Sequence, residues 1–213
     1  MIAIVDYQAG NLASVKRALD CLGVESEITD SPQKIRSADR VVFPGVGAAG
    51  EAMSTLDRLG LRQVLYDVIR QGTPFMGICV GYQLLFEHSN ENDVECLGLL
   101  KGNVVRFASD LREEGSERPL KIPEMGWNRV DFTREHPVWQ DVAEGSEFYF
   151  VHSYYPLAEP CVICATTTYG IEYACGAARD NLVAFQFHPE KSGRPGLQIL
   201  KNFCDWDGSH ILA

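Results

Sequence analysis

A cysteine between two glycines is the residue in this chain whose surroundings best fit a nucleophile. Residues 77–81 read Gly-Ile-Cys-Val-Gly, after the short run 73–76 and before an apolar stretch that ends at Phe86. This pattern predicts a nucleophile elbow, a sharp strand-to-helix turn that pushes its central side chain outwards. At the start of a helix Cys79 would be favoured as a thiolate, and the backbone N–H of Val80 would face a developing oxyanion.

A histidine and a carboxylate that could serve this cysteine follow a second apolar run. Residues 182–187 predict a buried strand, His188 emerges at its end, and Glu190 lies two residues further, beyond a proline. The carboxylate could accept a hydrogen bond from one imidazole nitrogen while the other nitrogen faces the thiol. A structural cysteine in a tight turn is the alternative for the elbow alone. Together the motifs predict a Cys79–His188–Glu190 triad.

The first half of the chain alternates between strand and helix patterns. Apolar residues at helical spacing predict one helix from Leu12 to Leu22, closed by Gly23, and another over 49–71. The predicted strands are 2–6, 24–29, 40–43 and 73–78, with a Pro-Gly-Val-Gly break at 44–47 after the third. This alternation predicts an α/β fold with a mostly parallel central sheet flanked by helices, and ligands at the carboxyl ends of its strands.

The second half predicts an additional antiparallel section laid against that sheet. A closing helix is predicted at 196–203, and the charged stretch 108–118 is predicted to be a loop. The predicted strands are 102–107, 122–132, 147–151, 161–168, 171–179 and 182–187. No repeat or linker interrupts the chain, so residues 1–213 are expected to form a single domain.

Net charge, hydrophobicity and cysteine spacing exclude several classes of protein and several kinds of binding site. A net charge of −10 argues against nucleic acid or an anionic membrane as a partner. No apolar run approaches the ~20 residues of a membrane span, and no signal-peptide pattern opens the chain, so a cytoplasmic protein is expected. Cys161 and Cys164 form a C-x-x-C with Cys175 further on, but no second pair completes a tetrahedral site. We expect structural cysteines, no metal and no cofactor.

The motifs at 77–83 and 187–190 resemble those of the class I (triad) glutamine amidotransferases. Three further segments, 6–12, 44–47 and 121–128, resemble the histidine-biosynthesis branch of that family. The resemblance implies that Cys79 attacks the side-chain amide of glutamine. It also implies that His188 takes the thiol proton and delivers it to departing ammonia, and that Glu190 holds the imidazole.

The resemblance implies the remaining parts of the site as well. The oxyanion hole is expected to use the Val80 N–H and a second donor from the 44–47 segment, supplied by Val46 and Gly47 after a peptide flip. The residues expected to bind glutamine are Gly45, Gln83, Ser153 and Tyr154. For Ser153 and Tyr154 a plain strand terminus is the alternative interpretation.

A partner subunit is also implied, because free ammonia is protonated in water and then stops being a nucleophile. No glycine-rich loop with Lys-Ser/Thr and no basic cluster marks a sugar-phosphate site on this chain. The resemblance makes the partner a (β/α)8-barrel cyclase in a heterodimer, with Asn11, Trp127 and Lys191 near the shared face. Core packing is an equal alternative for Trp127. Gln8 and Glu124 depart from the family pattern, which has glycine and histidine there.

Three rival interpretations are compatible with some of these motifs. The chain could serve another class I enzyme, such as anthranilate synthase or pyridoxal phosphate synthase, with the same chemistry and a different partner. A cysteine hydrolase of the α/β-hydrolase type would place its acid before the histidine, whereas Glu190 follows His188. A binding protein that has lost catalysis would not be expected to retain all three triad residues.

Overall fold

The computed structural model describes residues 1–8, 10–113, 115 and 118–209. Strands and helices follow one another through the first half of the chain, as its periodicity predicts. These elements are β1 (Ile2–Val5), α1 (Leu12–Cys21), β2 (Ser26–Thr29), α2 (Pro32–Arg36), β3 (Arg40–Gly45), α3 (Ala49–Arg58), α4 (Leu61–Arg70), β4 (Phe75–Cys79) and α5 (Val80–Gln83). The short helix α2 has no counterpart in the sequence prediction.

Four parallel strands form the first half of the main sheet, in the order β2-β1-β3-β4. Every residue of β1 and β4 is buried, as expected for strands covered on both faces. Helices α1, α3 and α4 each bury one face, and in α4 the buried residues repeat at helical spacing, whereas the short helix α5 is buried throughout. No helix within the described ranges combines the length and the apolar character needed to cross a bilayer.

Two predictions about this half are wrong in detail. The single helix predicted at 49–71 is divided into α3 and α4, because Gly60 takes a φ of 66° that ends one helix and starts the next. The predicted break at Pro44 is also absent, since β3 continues to Gly45. Pro44 is tolerated there because β1 pairs with β3 only as far as Val42, so no neighbour on that side needs its N–H.

The second half adds antiparallel strands and a closing helix. Its elements are β5 (His88–Ser89), β6 (Val94–Glu95), β7 (Gly102–Arg106), β8 (Glu124–Arg129), β9 (Asp131–Phe132), β10 (Glu147–His152), β11 (Tyr154–Ala158), β12 (Ile163–Thr168), β13 (Glu172–Arg179), β14 (Leu182–Phe185) and α6 (Gly193–Asp205). The main sheet continues β4-β14-β13-β12-β9, with β14 parallel to β4 and the last three strands antiparallel. The prediction of a mixed α/β sheet is confirmed.

Two smaller sheets lie beside the main one. One pairs β10 with β8, and the other has the order β11-β7-β5-β6. The sequence prediction lacks β5, β6 and β11, and it runs β8 and β9 together as one strand. The charged stretch 108–118 falls partly outside the described residues; within it, Arg112 forms an isolated bridge with Pro119.

The strand order brings the chemical motifs together. The carboxyl ends of β3, β4 and β14 are neighbours: Gly45 pairs with Cys79, and Phe185 pairs with Ile78. His188 follows Phe185 by three residues. The elbow, the 44–47 segment and the histidine therefore meet at one edge of the sheet, where ligands bind in open α/β folds.

Candidate active site

Cys79 ends β4 in a backbone conformation that side-chain-bearing residues rarely adopt. Its φ is 55° and its ψ is −111°, and α5 begins at the next residue. The turn packs so closely on β3 that a Cβ at Gly81 would lie 1.9 Å from the Phe43 carbonyl oxygen. The structure thus has the sharp turn that the sequence predicts. Because α5 is a single turn with few peptide dipoles, neighbouring groups must supply most of any thiolate stabilisation.

His188 is fully buried and is held from several sides. Its backbone N–H donates to the Tyr149 carbonyl at 2.9 Å, and the Ser192 hydroxyl donates to its carbonyl at 2.6 Å. Its Nδ1–H donates to Glu190 Oε1 at 2.7 Å. Helix α6 presses on this loop, since a Cβ at Gly196 would lie 2.0 Å from the Pro189 carbonyl. Sequence reasoning missed Ser192, which fixes the loop.

The side chain of Glu190 is buried and receives two hydrogen bonds on one oxygen. Besides His188, Asn11 donates from Nδ2 to Glu190 Oε1 at 2.5 Å. Among the described residues, none makes a hydrogen bond with Glu190 Oε2. Asn11 is the N-cap residue of α1, yet its side chain makes no capping bond. The residue predicted to lie near a partner face is therefore bonded to the carboxylate of the predicted triad.

The charge state of His188 is set by two opposing effects. Burial lowers its pKa, but the charge of Cys79 and the contact with Glu190 outweigh burial and raise it to about 10. His188 is therefore an imidazolium at neutral pH. Its Nε2 is buried and makes no hydrogen bond with any described residue.

A cavity of about 320 Å³ opens above Cys79, which is enough room for an amino acid. Most of the predicted binding and oxyanion residues line it: Val46, Gly47, Val80, Gln83, Ser153 and Tyr154. Gly45 is not among the described residues that line the cavity. It lies under the elbow, where a Cβ would come 2.1 Å from the Tyr7 hydroxyl. Its role in the structure is close packing.

Comparison with known proteins identifies the family. The model of the family described as glutamine amidotransferase class-I matches residues 3–206. The chain belongs to this family. The imidazole glycerol phosphate synthase subunit HisH of Desulfovibrio desulfuricans is 49% identical over 207 residues, which cover 97% of this chain and 94% of the relative. The subunit of the same name from Pseudomonas putida is 48% identical over 210 residues, covering 97% and 98%.

Solved structures agree at the level of the fold. A chain in the structure of PurLQS from Thermotoga maritima superposes with a TM-score of 0.73 at 17% identity, covering 96% of this amidotransferase and 97% of that chain. At this identity the likeness shows the fold alone. Because the sequence relatives are named as subunits, a partner subunit is implied for this amidotransferase too.

Gln83 of the amidotransferase is buried, and both hydrogens of its amide nitrogen are used within the protein. Nε2 donates to the Tyr154 carbonyl at 2.8 Å and to Gln186 Oε1 at 2.9 Å. An amide nitrogen has only two hydrogens to donate. Gln83 can therefore present only its carbonyl oxygen, an acceptor, to a ligand in the cavity.

Gln186 is a site residue that sequence reasoning missed. It is fully buried between β14 and His188, and its Nε2 lies 3.9 Å from Cys79 Sγ. The signal was present in the sequence, because a lone amide interrupts the apolar run 182–187. Polar groups are rarely buried unless they have hydrogen-bond partners to satisfy.

The residues predicted for the partner face divide into two places. Trp127 is 55% exposed and Met125 is 65% exposed on the same side of β8, so core packing is wrong for Trp127. The Trp127 ring meets Tyr149 edge-on at 6.1 Å, and Lys191 Nζ lies 5.9 Å from the centroid of the Tyr149 ring. Asn11 faces the triad instead.

The remaining cysteines are separate from this site. Cys164 and Cys175 are buried and Cys161 is exposed. Burial raises the pKa of Cys164 to about 12, so it remains a thiol at neutral pH. Within the described ranges, no three His, Cys, Asp or Glu side chains are grouped as metal ligands would be.

Proposed function

We propose that this chain is the glutaminase subunit of an imidazole glycerol phosphate synthase. It would hydrolyse glutamine to glutamate and ammonia, and pass the ammonia to a cyclase that makes imidazole glycerol phosphate and AICAR in histidine biosynthesis. The observation that carries the proposal is the buried Cys79–His188–Glu190 arrangement, with an imidazolium at its centre, beneath an amino-acid-sized cavity. The full-length similarity to the HisH subunits supports the choice of pathway.

In the proposed reaction, the Cys79 thiolate attacks the side-chain carbonyl carbon of glutamine. The Val80 N–H stabilises the oxyanion of the tetrahedral intermediate. When the C–N bond breaks, His188 donates its proton to the leaving nitrogen, so that ammonia departs and a thioester remains. His188 then takes a proton from the attacking water, and collapse of the second intermediate releases glutamate and restores the thiolate and the imidazolium.

A second oxyanion donor is proposed to come from the 44–47 segment. Val46 and Gly47 line the cavity next to Cys79, and Gly47 has a φ of 99° that favours glycine. Rotation of a peptide there would bring another N–H towards the oxyanion at low conformational cost. Completing the hole in this way would raise the rate by roughly 10²–10³.

The partner is proposed to be a (β/α)8-barrel cyclase that forms a heterodimer with this chain in the cytoplasm. The exposed side of β8 with Met125 and Trp127, next to Tyr149 and Lys191, supplies an apolar patch with a positive charge beside it. Large exposed apolar side chains of this kind are typical of protein–protein contacts. Docking on this face would let ammonia leave the cavity without meeting bulk water.

The experiment is to compare turnover of Cys79→Ala with wild type in the complex. The substitution should abolish glutamine hydrolysis but leave synthesis from added ammonium salts. Cys161→Ala, which removes an exposed cysteine outside the cavity, is the matched control and should retain full turnover. A glutamine-analogue electrophile that labels a cysteine other than Cys79 would contradict the assignment.

The partner is tested by measuring glutaminase turnover in three states. These are the free subunit, its complex with the cyclase, and the complex with a cyclase-site ligand. We expect the rate to rise in the last state, because the ligand would favour the rotated 44–47 peptide. Equal rates in all three would rule out allosteric coupling. Stimulation by the partner of anthranilate or pyridoxal phosphate synthase instead would assign the chain to another amidotransferase.

A further inference from the structure

Gln186 contacts the reacting sulfur, yet none of the steps above gives it a role. Its backbone is fixed, since its N–H donates to the Cys175 carbonyl at 2.8 Å. Its side chain spans the space between two residues of the cavity, with Oε1 accepting from Gln83 and Nε2 directed at Cys79 Sγ. A side chain fully removed from water that reaches a nucleophile is placed to affect that nucleophile's charge.

The orientation of this amide follows from the hydrogen bonds around it. The Tyr154 carbonyl can only accept, so the nitrogen of Gln83 must face it. The second hydrogen of that nitrogen then needs an acceptor, which is Gln186 Oε1. Reversing Gln186 would place two NH₂ groups against each other and a carbonyl oxygen against the sulfur. Its NH₂ group must therefore point at Cys79.

The Tyr154 carbonyl, which sets the orientation of Gln83 and Gln186, is itself held by a cluster of buried polar side chains. His152 Nδ1 donates to the Tyr154 carbonyl at 2.8 Å, while Nε2 of the same ring lies 3.0 Å from the Tyr173 hydroxyl. That hydroxyl donates to Glu124 Oε2 at 2.7 Å. His152 and Glu124 have side chains only 3% exposed. Glu124, which departs from the family pattern, thus holds the Tyr173 hydroxyl next to His152.

We propose that Gln186 is a residue of the reaction site whose amide N–H stabilises the Cys79 thiolate, while its carbonyl holds Gln83 in place. The inference rests on the proposed function, since it assumes that Cys79 is the nucleophile. A thiolate 3% exposed loses most of its hydration, so it needs hydrogen-bond donors from the protein. The single turn of α5 has few peptide dipoles to stabilise a negative charge on Cys79, so a donor from a side chain matters more. A neutral amide adds a donor without adding a charge that would compete with His188.

The test is the rate at which iodoacetamide alkylates Cys79, measured against pH on the full chain by mass spectrometry of the Cys79 peptide. This small neutral reagent reports on the thiolate and needs no glutamine bound. Gln186→Met keeps the length of the side chain but removes the donor. Alkylation at neutral pH should slow about 10- to 100-fold, the value of a hydrogen bond to a charged group, and its pH midpoint should rise.

Two further variants separate the loss of a donor at the sulfur from a general loss of stability. Gln186→Glu preserves the shape and the acceptor for Gln83 but sets an oxygen against the sulfur, so it should slow alkylation more than Gln186→Met. Asn202→Leu removes a buried amide that bonds the Val138 and Gln140 carbonyls; it should lower the melting temperature without moving the pH midpoint.

Alkylation of Cys79 tests the role of Gln186, whereas glutamine hydrolysis tests the proposed function, so either can fail without the other. Wild-type alkylation rates and midpoints in folded Gln186→Met and Gln186→Glu would overturn it, even if the wild-type complex hydrolyses glutamine normally. Shifted midpoints in a chain that hydrolyses no glutamine with any partner would support the role of Gln186 in holding the thiolate, and would reject the proposed function instead.

Discussion

Replacing Asn11 by glycine would remove one hydrogen bond from Glu190 without straining the backbone. Asn11 has a φ of 73°, a conformation that glycine adopts freely. Its amide bonds the same carboxylate oxygen as His188. The substitution therefore loosens the group that orients the imidazole, while the cysteine, the histidine and the carboxylate all remain.

The size of the effect follows from the geometry. A hydrogen bond to a charged group contributes about 1.5–3 kcal/mol, and none of the described residues bonds the other oxygen of Glu190 to compensate. If most of this free energy serves to hold His188, kcat should fall about 10- to 100-fold. Asn11 is not among the described residues lining the cavity, so KM for glutamine should change little.

The assay is glutaminase turnover of the complex, with the affinity of the two subunits measured alongside. Asn11→Asp should be worse than Asn11→Gly, because it sets a second, half-buried carboxylate against Glu190, and it should partly recover as the pH is lowered. Gln8→Gly is the matched control. It makes the same kind of change in the same turn, at a φ of 66°, but Gln8 bonds Arg58 on the surface.

A turnover of Asn11→Gly within twofold of wild type would refute the role in the triad. A loss explained entirely by weaker subunit affinity would assign Asn11 to the partner face, as the sequence resemblance implies. The structure-based expectation is a fall in kcat at saturating partner.

Three other predictions concern the Cys79 elbow and His188. Because the charge of Cys79 helps to raise the pKa of His188 to about 10, Cys79→Ala should lower that pKa, measured by NMR titration of the imidazole; an unchanged value would mean that Cys79 contributes nothing. In wild type, kcat should fall as the pH rises through about 10, because a neutral His188 cannot protonate the leaving nitrogen. Gly81→Ala should cost ~1–3 kcal/mol or more in thermal unfolding and exceed Gly77→Ala, whose Cβ would meet nothing nearer than 3.0 Å; equal costs would contradict this packing argument.

The parts of the site that lie in short sequence motifs could be predicted from the sequence. A strand-turn-helix with flanking glycines predicts Cys79 as the nucleophile, and a histidine at the end of an apolar run with a carboxylate two residues later predicts the other two members of the proposed triad. The parallel pairing of β3 with β4 then follows from strand–helix alternation. The parallel pairing of β14 with β4, which brings the two motifs together, does not follow from it, because the sequence pattern predicts 182–187 as part of the antiparallel section. Each inference used residues that are close in the chain.

Contacts between residues far apart in the chain could not be predicted in this way. Asn11 and Glu190 are separated by 179 positions, and no pattern near either one indicates the hydrogen bond. Residues 154–158 contain a proline and lack alternation, so β11 forms only because β7 offers it a paired edge. The break at Gly60, in contrast, had a local signal in the glycine itself.

The two faces of β8 connect the proposed partner surface with the nucleophile. Alternation along the strand turns Met125 and Trp127 outwards and Glu124 inwards, where it anchors the cluster that fixes the Tyr154 carbonyl. That carbonyl in turn sets the orientation of Gln83 and of the amide that reaches the sulfur. A protein that docks on the outer face and shifts β8 would move Glu124. The series of hydrogen bonds from Glu124 to the Tyr154 carbonyl would then carry this shift to the side chains of the cavity. Coupling by this route would also reach the main sheet, because β8 pairs with β10 and is joined to β12 by two hydrogen bonds, from Asn128 to the Thr168 carbonyl and from Thr167 to the Arg129 carbonyl.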